Sequence, residues 1–227
     1  ESVVDQRIEG LLPDGTAIQL GIYASPMEVM VSLTGPDKES GPVTIDRLFE
    51  EAKTRLGDIL YGEGNGAMGS VVGRLLTDQH KTLALAESCT GGLIGHRLTQ
   101  ISGSSAYVDR GVVSYSNRAK VELLGVSPEL LDRHGAVSAE VAAAMARGIR
   151  ERSGVSVGLS VTGIAGPGGA TKTKPVGLVY VGLDGGPGDS LTKEYRFHGG
   201  DRSVIKQRSS QAALDVLRRW LITKGGG

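Results

Sequence analysis

Short apolar strands alternate with amphipathic helices along residues 77–227. The segment "VSVGLSVTG" (155–163) is a nearly continuous apolar run, which is typical of a strand buried on both faces of a sheet. It directly follows "SAEVAAAMARGIRERSG" (138–154), whose helical pattern begins at a capping serine and ends at a glycine. The alternation predicts a layered α/β/α domain with helices on both faces of a mixed sheet.

Residues 1–76 have a different pattern, that of a small α+β domain. Two half-buried strands and one helix are predicted, in "TAIQLGIYAS", "MEVMVSLTG" and "VTIDRLFEEAKTRLGDILYG". Residues 1–76 carry 12 acidic and 6 basic residues, whereas residues 77–227 carry 13 acidic and 19 basic residues. This asymmetry and the glycine-rich stretch "GEGNGAMGS" (62–70) predict two domains, 1–76 and 77–227.

The composition bears on partners and compartment. The net charge is zero, and no apolar run approaches the roughly 20 residues of a membrane span. We therefore expect neither a membrane nor a nucleic acid as partner, and the acidic first domain would repel phosphates. A single cysteine and the lack of a signal-peptide pattern indicate a reducing cytoplasm. The chain begins at Glu1 rather than Met, so we expect it to be part of a longer protein.

The stretch "AESCTGG" (86–92) joins a predicted strand to a predicted helix. Such a turn exposes its side chains at the carboxyl edge of a sheet, and the backbone amides that follow it favour an anion. Ser88 is therefore either a nucleophile, with an oxyanion held by those amides, or a helix cap. Cys89 is a rival nucleophile, although a lone cysteine beside a strand is usually a small buried hydrophobe.

A serine nucleophile needs a base, and none of the four histidines stands in a recognisable triad or metal-binding spacing. Lysine is the alternative, because desolvation lowers its pKa. "YSNRAK" (115–120) places Lys120 where a strand leaves the sheet, either as this base or as a solvated helix residue. "HGGDR" (198–202) places Arg202 at a helix N-terminus, as part of an anion site or as a surface residue.

Seven motifs occur in a fixed order: "AESCTGG", "GSSAYVDRGVVSYSNRAK", "LLGV", "HGAVS", "TGIAGPGG", "KPVGLVYVG" and "GGDR". Together they resemble the CinA carboxyl-terminal domain family, the nicotinamide mononucleotide deamidases, over residues 77–222. Residues 1–76 resemble the small KH-like linker domain of longer CinA (competence/damage-inducible) proteins. Those proteins also have an amino-terminal nucleotide pyrophosphatase domain, whose activity is not assigned to this chain.

The resemblance implies an amidase that converts nicotinamide mononucleotide to nicotinic acid mononucleotide and ammonia, in pyridine nucleotide recycling. Ser88 would be the nucleophile and Lys120 its general base, with backbone amides near Thr90 and Gly91 holding the oxyanion. The further matched positions are catalytic Tyr115 and Thr162, expected to orient Lys120 or the amide, and substrate-binding Thr90, Gly91, Asn117, Gly163 and Arg202.

The resemblance implies no metal and no cofactor, and it implies a homodimer or a larger homo-oligomer. Two alternatives stay open. One is an amidase with the same Ser–Lys pair that acts on a different substrate. The other is a non-catalytic adaptor of DNA-uptake or repair machinery, against which the intact Ser88 and Lys120 count.

Overall fold

The computed structural model describes residues 2–36, 44–64 and 66–225, and the chain divides into two compact units, Glu1–Glu63 and Gly64–Gly227. The described elements of the first unit are α1 (Ser2–Ile8), β1 (Gln19–Ala24), β2 (Val29–Thr34) and α2 (Ile45–Leu56). Strands β1 and β2 pair antiparallel, and the Thr44 hydroxyl caps α2 by accepting the Arg47 N–H at 3.2 Å. The sequence analysis predicts both strands and α2 but misses α1.

The second unit is built on a five-stranded mixed sheet. Its strands are β3 (Leu83–Glu87), β4 (Val108–Val113), β5 (Val157–Gly163), β6 (Leu178–Asp184) and β7 (Ser190–Arg196). Its helices are α3 (Met68–Asp78), α4 (Leu93–Thr99), α5 (Asn117–Leu124), α6 (Pro128–His134), α7 (Ala139–Ser153) and α8 (Arg202–Gly225). The strand order is β4-β3-β5-β6-β7, in which the first three strands are parallel and the last two antiparallel to their neighbours.

Strand β3 shows how the layers form. Ala84 and Ala86 belong to an apolar core with residues of α5, α6 and α7. Leu85 lies between them in sequence and faces α4, where a methyl group built on Gly95 would lie 3.6 Å from its side chain. Because successive strand residues point to opposite faces, helices flank both faces of this sheet. This confirms the predicted layered α/β fold with a mixed sheet.

Helix α3 belongs to the second unit, although the predicted boundary at residues 76 and 77 would separate it from that unit. It packs on α8, and its buried side chains Met68, Val72 and Leu76 lie within that unit's core. The glycine-rich stretch 62–70, of which residue 65 lies outside the described residues, leads directly into this helix. The boundary predicted at residues 76 and 77 lies too far along the chain, because charge asymmetry carries no information about which surface a helix buries.

In the described ranges no helix is both long enough and apolar enough to cross a membrane.

Candidate active site

The carboxyl ends of the parallel strands β4, β3 and β5 meet at one edge of the sheet. Beyond β3 the ladder continues, since the Ser88 N–H donates to Val161 O at 2.9 Å. Beyond β4 the Ser114 N–H donates to Glu87 O at 2.8 Å. These bonds fix the backbone at both strand ends, so the side chains that follow them have defined positions.

The turn after β3 is organised by the carboxylate of Glu87, which is only 2% exposed. It accepts the backbone N–H groups of Gly92 (3.0 Å), Ile94 (3.1 Å) and Gly95 (2.8 Å). A carboxylate at this place satisfies the free amides at the start of α4 and complements the helix dipole. The helix cap is therefore Glu87, and the hydroxyl of Ser88 is left for another partner.

That partner is Lys120, whose ammonium nitrogen lies 3.1 Å from Ser88 Oγ. Lys120 is in the first turn of α5, which the Ser116 hydroxyl caps by accepting the Ala119 N–H at 3.0 Å. Because α5 begins directly after β4, this turn directs the lysine side chain back to the sheet edge. Lys120 Nζ also donates to the backbone carbonyls of Ser114 at 2.8 Å and Tyr115 at 3.5 Å.

Burial dominates the electrostatics of this pair. Lys120 is 1% exposed, and this burial lowers its pKa because the charged form loses solvation, an effect that neighbouring Cys89 partly opposes. Burial likewise raises the pKa of the Cys89 thiol to about 12. At neutral pH Cys89 is thus a protonated thiol, whereas the lowered pKa of Lys120 favours its neutral, proton-accepting form relative to a solvated lysine.

The side chains of Arg202 and Tyr115 contact each other rather than Ser88 or Lys120. One guanidinium nitrogen of Arg202 donates to the Tyr115 hydroxyl at 2.5 Å, and another donates to Gly166 O at 2.8 Å. Tyr115 is expected from the sequence to orient Lys120 or the substrate amide, and its contact with Lys120 runs through its backbone carbonyl, at 3.5 Å from Lys120 Nζ. Arg202 is not among the groups that shift the pKa of Lys120, which burial lowers.

Three other predicted site residues form no hydrogen bond with Lys120 in the described part of the chain. The Thr162 hydroxyl donates to Ala136 O at 2.7 Å, so it holds the segment before α7 rather than orienting Lys120. Gly163 ends β5, where a methyl group would lie 2.9 Å from Leu178 O. Asn117 is exposed at the start of α5. Across the described ranges, no hydrogen bond joins Thr162, Gly163 or Asn117 to Ser88 or Lys120.

The predicted oxyanion donors behave differently from each other. The Gly91 N–H donates to Ser88 O at 3.1 Å, so this amide closes the turn and is not free for an oxyanion. The Thr90 N–H has no hydrogen-bond partner among the described residues. The Thr90 hydroxyl is fully buried and also without a partner among them. Of these two residues, only Thr90 keeps donors that have no partner among the described residues, its amide and its hydroxyl.

Sequence reasoning missed Glu87 and Ser114. An acid directly before a glycine-rich turn into a helix is a recognisable capping signal, and it could have identified Glu87. Ser114 contributes a carbonyl to Lys120, and no side-chain pattern reveals a backbone contact. Within the part of the chain that the structure describes, no group of three or more His, Cys, Asp or Glu residues could hold a metal ion.

These observations define the class of protein: a mixed α/β domain that carries a buried serine–lysine pair at the carboxyl edge of its parallel strands. The chain belongs to the CinA family. Residues 66–221 match the CinA C-terminal domain, and residues 1–62 match the damage-inducible protein CinA KH domain.

Individual relatives agree with this assignment. A CinA-like protein from Trichormus variabilis is 48% identical over 207 residues, which are 89% of this chain and 49% of that protein. The crystal structure of the competence/damage inducible protein CihA from Agrobacterium tumefaciens is 42% identical, with a TM-score of 0.65, and covers 70% of this chain and 98% of that one. The chain spans about half the length of the curated relatives it matches.

Proposed function

We propose that this chain is an amidohydrolase that converts nicotinamide mononucleotide to nicotinic acid mononucleotide and ammonia. The observation that carries the proposal is the 3.1 Å contact between Ser88 Oγ and the buried amine of Lys120. A lysine whose pKa is lowered by burial can act as general base toward a serine hydroxyl at this distance. The resemblance of the ordered motifs to the deamidases supplies the substrate.

In the first half of the reaction, neutral Lys120 takes the hydroxyl proton of Ser88 while Oγ attacks the carboxamide carbon. The pyridinium ring of the substrate withdraws electrons and makes this carbon electrophilic. The C–N bond of the tetrahedral intermediate then breaks, and the proton on Lys120 goes to the departing nitrogen, which leaves as ammonia. An ester between Ser88 and the nicotinoyl group remains.

Water completes the reaction at the same two residues. Neutral Lys120 takes a proton from water as the water oxygen attacks the ester carbon. The bond to Ser88 Oγ breaks, Oγ recovers the proton from Lys120, and nicotinic acid mononucleotide leaves.

Thr90 supports the charged intermediates in both halves. A buried hydroxyl without a partner costs free energy, so a substrate oxygen that accepts from Thr90 Oγ1 or from the Thr90 N–H relieves that cost. We place the oxyanion against these two donors. Under this proposal the enzyme would recycle pyridine nucleotides, and the further domain of the longer relatives would be a partner within the same polypeptide.

The test is ammonia release from nicotinamide mononucleotide, with free nicotinamide as the comparison substrate. Ser88→Ala is expected to lower kcat at least about 10³-fold, because loss of a serine nucleophile removes covalent catalysis. The matched control is Cys89→Ala, which replaces the neighbouring buried thiol and is expected to keep turnover within a few-fold. An inactive Cys89→Ala with an active Ser88→Ala would reverse the assignment. No ammonia from either substrate would favour the adaptor alternative.

A further inference from the structure

Lys206 is a cation beside the nucleophile turn that the mechanism above does not use. It lies in the second turn of α8 and is half-buried. A methyl group built on Gly91 would lie 3.5 Å from Lys206 Nζ, so the ammonium sits against the backbone of the turn that carries Ser88. Among the described residues, no hydrogen bond or ion pair satisfies this ammonium.

The other charged side chains at the start of α8 and in the turn that carries Ser88 already have hydrogen-bond partners. Arg202, one helical turn earlier on α8, has its guanidinium bound to Gly166 O and to the Tyr115 hydroxyl. The Asp201 carboxylate accepts the Val204 N–H at 2.9 Å and caps α8. Glu87 accepts three amides of the turn. The three N–H donors of Lys206 are thus available to an external anion at the rim of the candidate active site.

Gly91 keeps the space in front of this ammonium open. Its φ is +63°, a left-handed conformation that glycine adopts at no steric cost, and it has no side chain to fill the gap. An oxygen-rich group can therefore approach Lys206 and the turn together. A phosphate monoester suits such a place, because its charge compensates a partly desolvated ammonium and forms charge-assisted hydrogen bonds.

We propose that Lys206 binds the phosphate of the substrate and so makes the site selective for a mononucleotide over its dephosphorylated form. This proposal rests on the proposed function, since it places a phosphorylated substrate at Ser88. The carboxamide would then react at Ser88, while the phosphate at the other end of the molecule is held at the rim by Lys206. Lys206 thus sets KM and specificity rather than taking part in proton transfer.

Kinetics with two substrates test the selectivity. Lys206→Gln is expected to raise KM for nicotinamide mononucleotide about 10- to 100-fold, the usual cost of losing a hydrogen bond to a charged group. Its kcat should stay within a few-fold, and its KM for nicotinamide riboside, which lacks the phosphate, should not change. Lys206→Arg should keep most of the affinity. The matched control is Lys193→Gln, which removes an exposed lysine from edge strand β7 and should behave like the wild type.

A binding measurement separates this proposal from the proposed function. Calorimetry on Ser88→Ala protein, with and without Lys206→Gln, would measure nicotinamide mononucleotide, nicotinamide riboside and inorganic phosphate without turnover. Phosphate-dependent binding that Lys206→Gln weakens supports the proposal even if no ammonia is released. An unchanged KM or affinity for the mononucleotide in Lys206→Gln, or equal binding of mononucleotide and riboside by the unaltered site, overturns it while leaving the deamidase activity standing.

Discussion

The position of the Lys120 amine determines its pKa. In water a lysine amine is almost wholly protonated at neutral pH and cannot accept a proton. Here the side chain is 1% exposed, and its burial lowers the pKa. The carbonyls of Ser114 and Tyr115 accept hydrogen bonds from its nitrogen, which lies 3.1 Å from Ser88 Oγ. Under the proposed function, this one residue would provide both the proton acceptor and its alignment with Ser88.

The pH dependence follows from the direction of this shift. The proposed reaction needs neutral Lys120, so kcat/KM is expected to rise with pH as the lysine loses its proton. Because burial lowers the pKa, the rise should level off below the ordinary value of 10.5. Lys120→Arg should be as inactive as Lys120→Ala, since a guanidinium stays protonated. A near-native rate for the arginine variant, or a rate that falls as pH rises through this range, would contradict the assignment.

At the scale of elements, the turn between β3 and α4 combines two tasks in adjacent residues. Glu87 caps α4 with its buried carboxylate, and Ser88 is left to face Lys120. Gly92, at φ +94°, takes the left-handed conformation that brings the first amides of the helix toward Glu87. The cap and the candidate nucleophile are therefore positioned by the same backbone.

Glu87→Gln is expected to lower the free energy of unfolding by about 1–3 kcal/mol, because an amide cannot accept from all three N–H groups and loses the charge–dipole attraction. Chemical denaturation monitored by circular dichroism would measure the loss. The matched control is Glu129→Gln, which changes an exposed acid in the first turn of α6 and should cost no more than about 0.5 kcal/mol. Equal losses in the two variants would show that Glu87 is not an effective cap.

At the scale of the molecule, the candidate site belongs to one of the two units. Ser88, Lys120, Arg202 and Lys206 all lie in the unit Gly64–Gly227, and its helix α3 packs on α8, which carries the last two of these residues. The integrity of the site therefore depends on α3, although α3 contributes no side chain to it.

Two truncated chains test this division. A chain of residues 64–227 is expected to keep ammonia release within a few-fold. A chain of residues 77–227 loses the buried side chains of α3, and we expect it to lose at least about 3 kcal/mol of stability, which corresponds to about 10 °C in Tm. Thermal denaturation and the ammonia assay on both chains would measure these effects. A 77–227 chain as stable as the 64–227 chain would show that the second unit begins after α3.

The sequence by itself determined the elements and many of their ends, because these depend on neighbouring residues. Apolar periodicity identified the mixed sheet and its helices, and the expected cap of α7 at Ser138 is present. Helix α1 has only seven residues, too few to show a helical apolar period. The candidate nucleophile and base could be named from ordered motifs, although each residue taken alone fitted a structural role better.

Only the tertiary structure decided which groups meet. Ser88 and Lys120 are 32 residues apart, and their contact exists because β4 lies beside β3 and turns directly into α5. The same long-range packing buries the amine and lowers its pKa, and it brings Lys206 to Gly91. Burial and hydrogen bonding between distant residues depend on strand order and helix packing, which local sequence patterns do not encode.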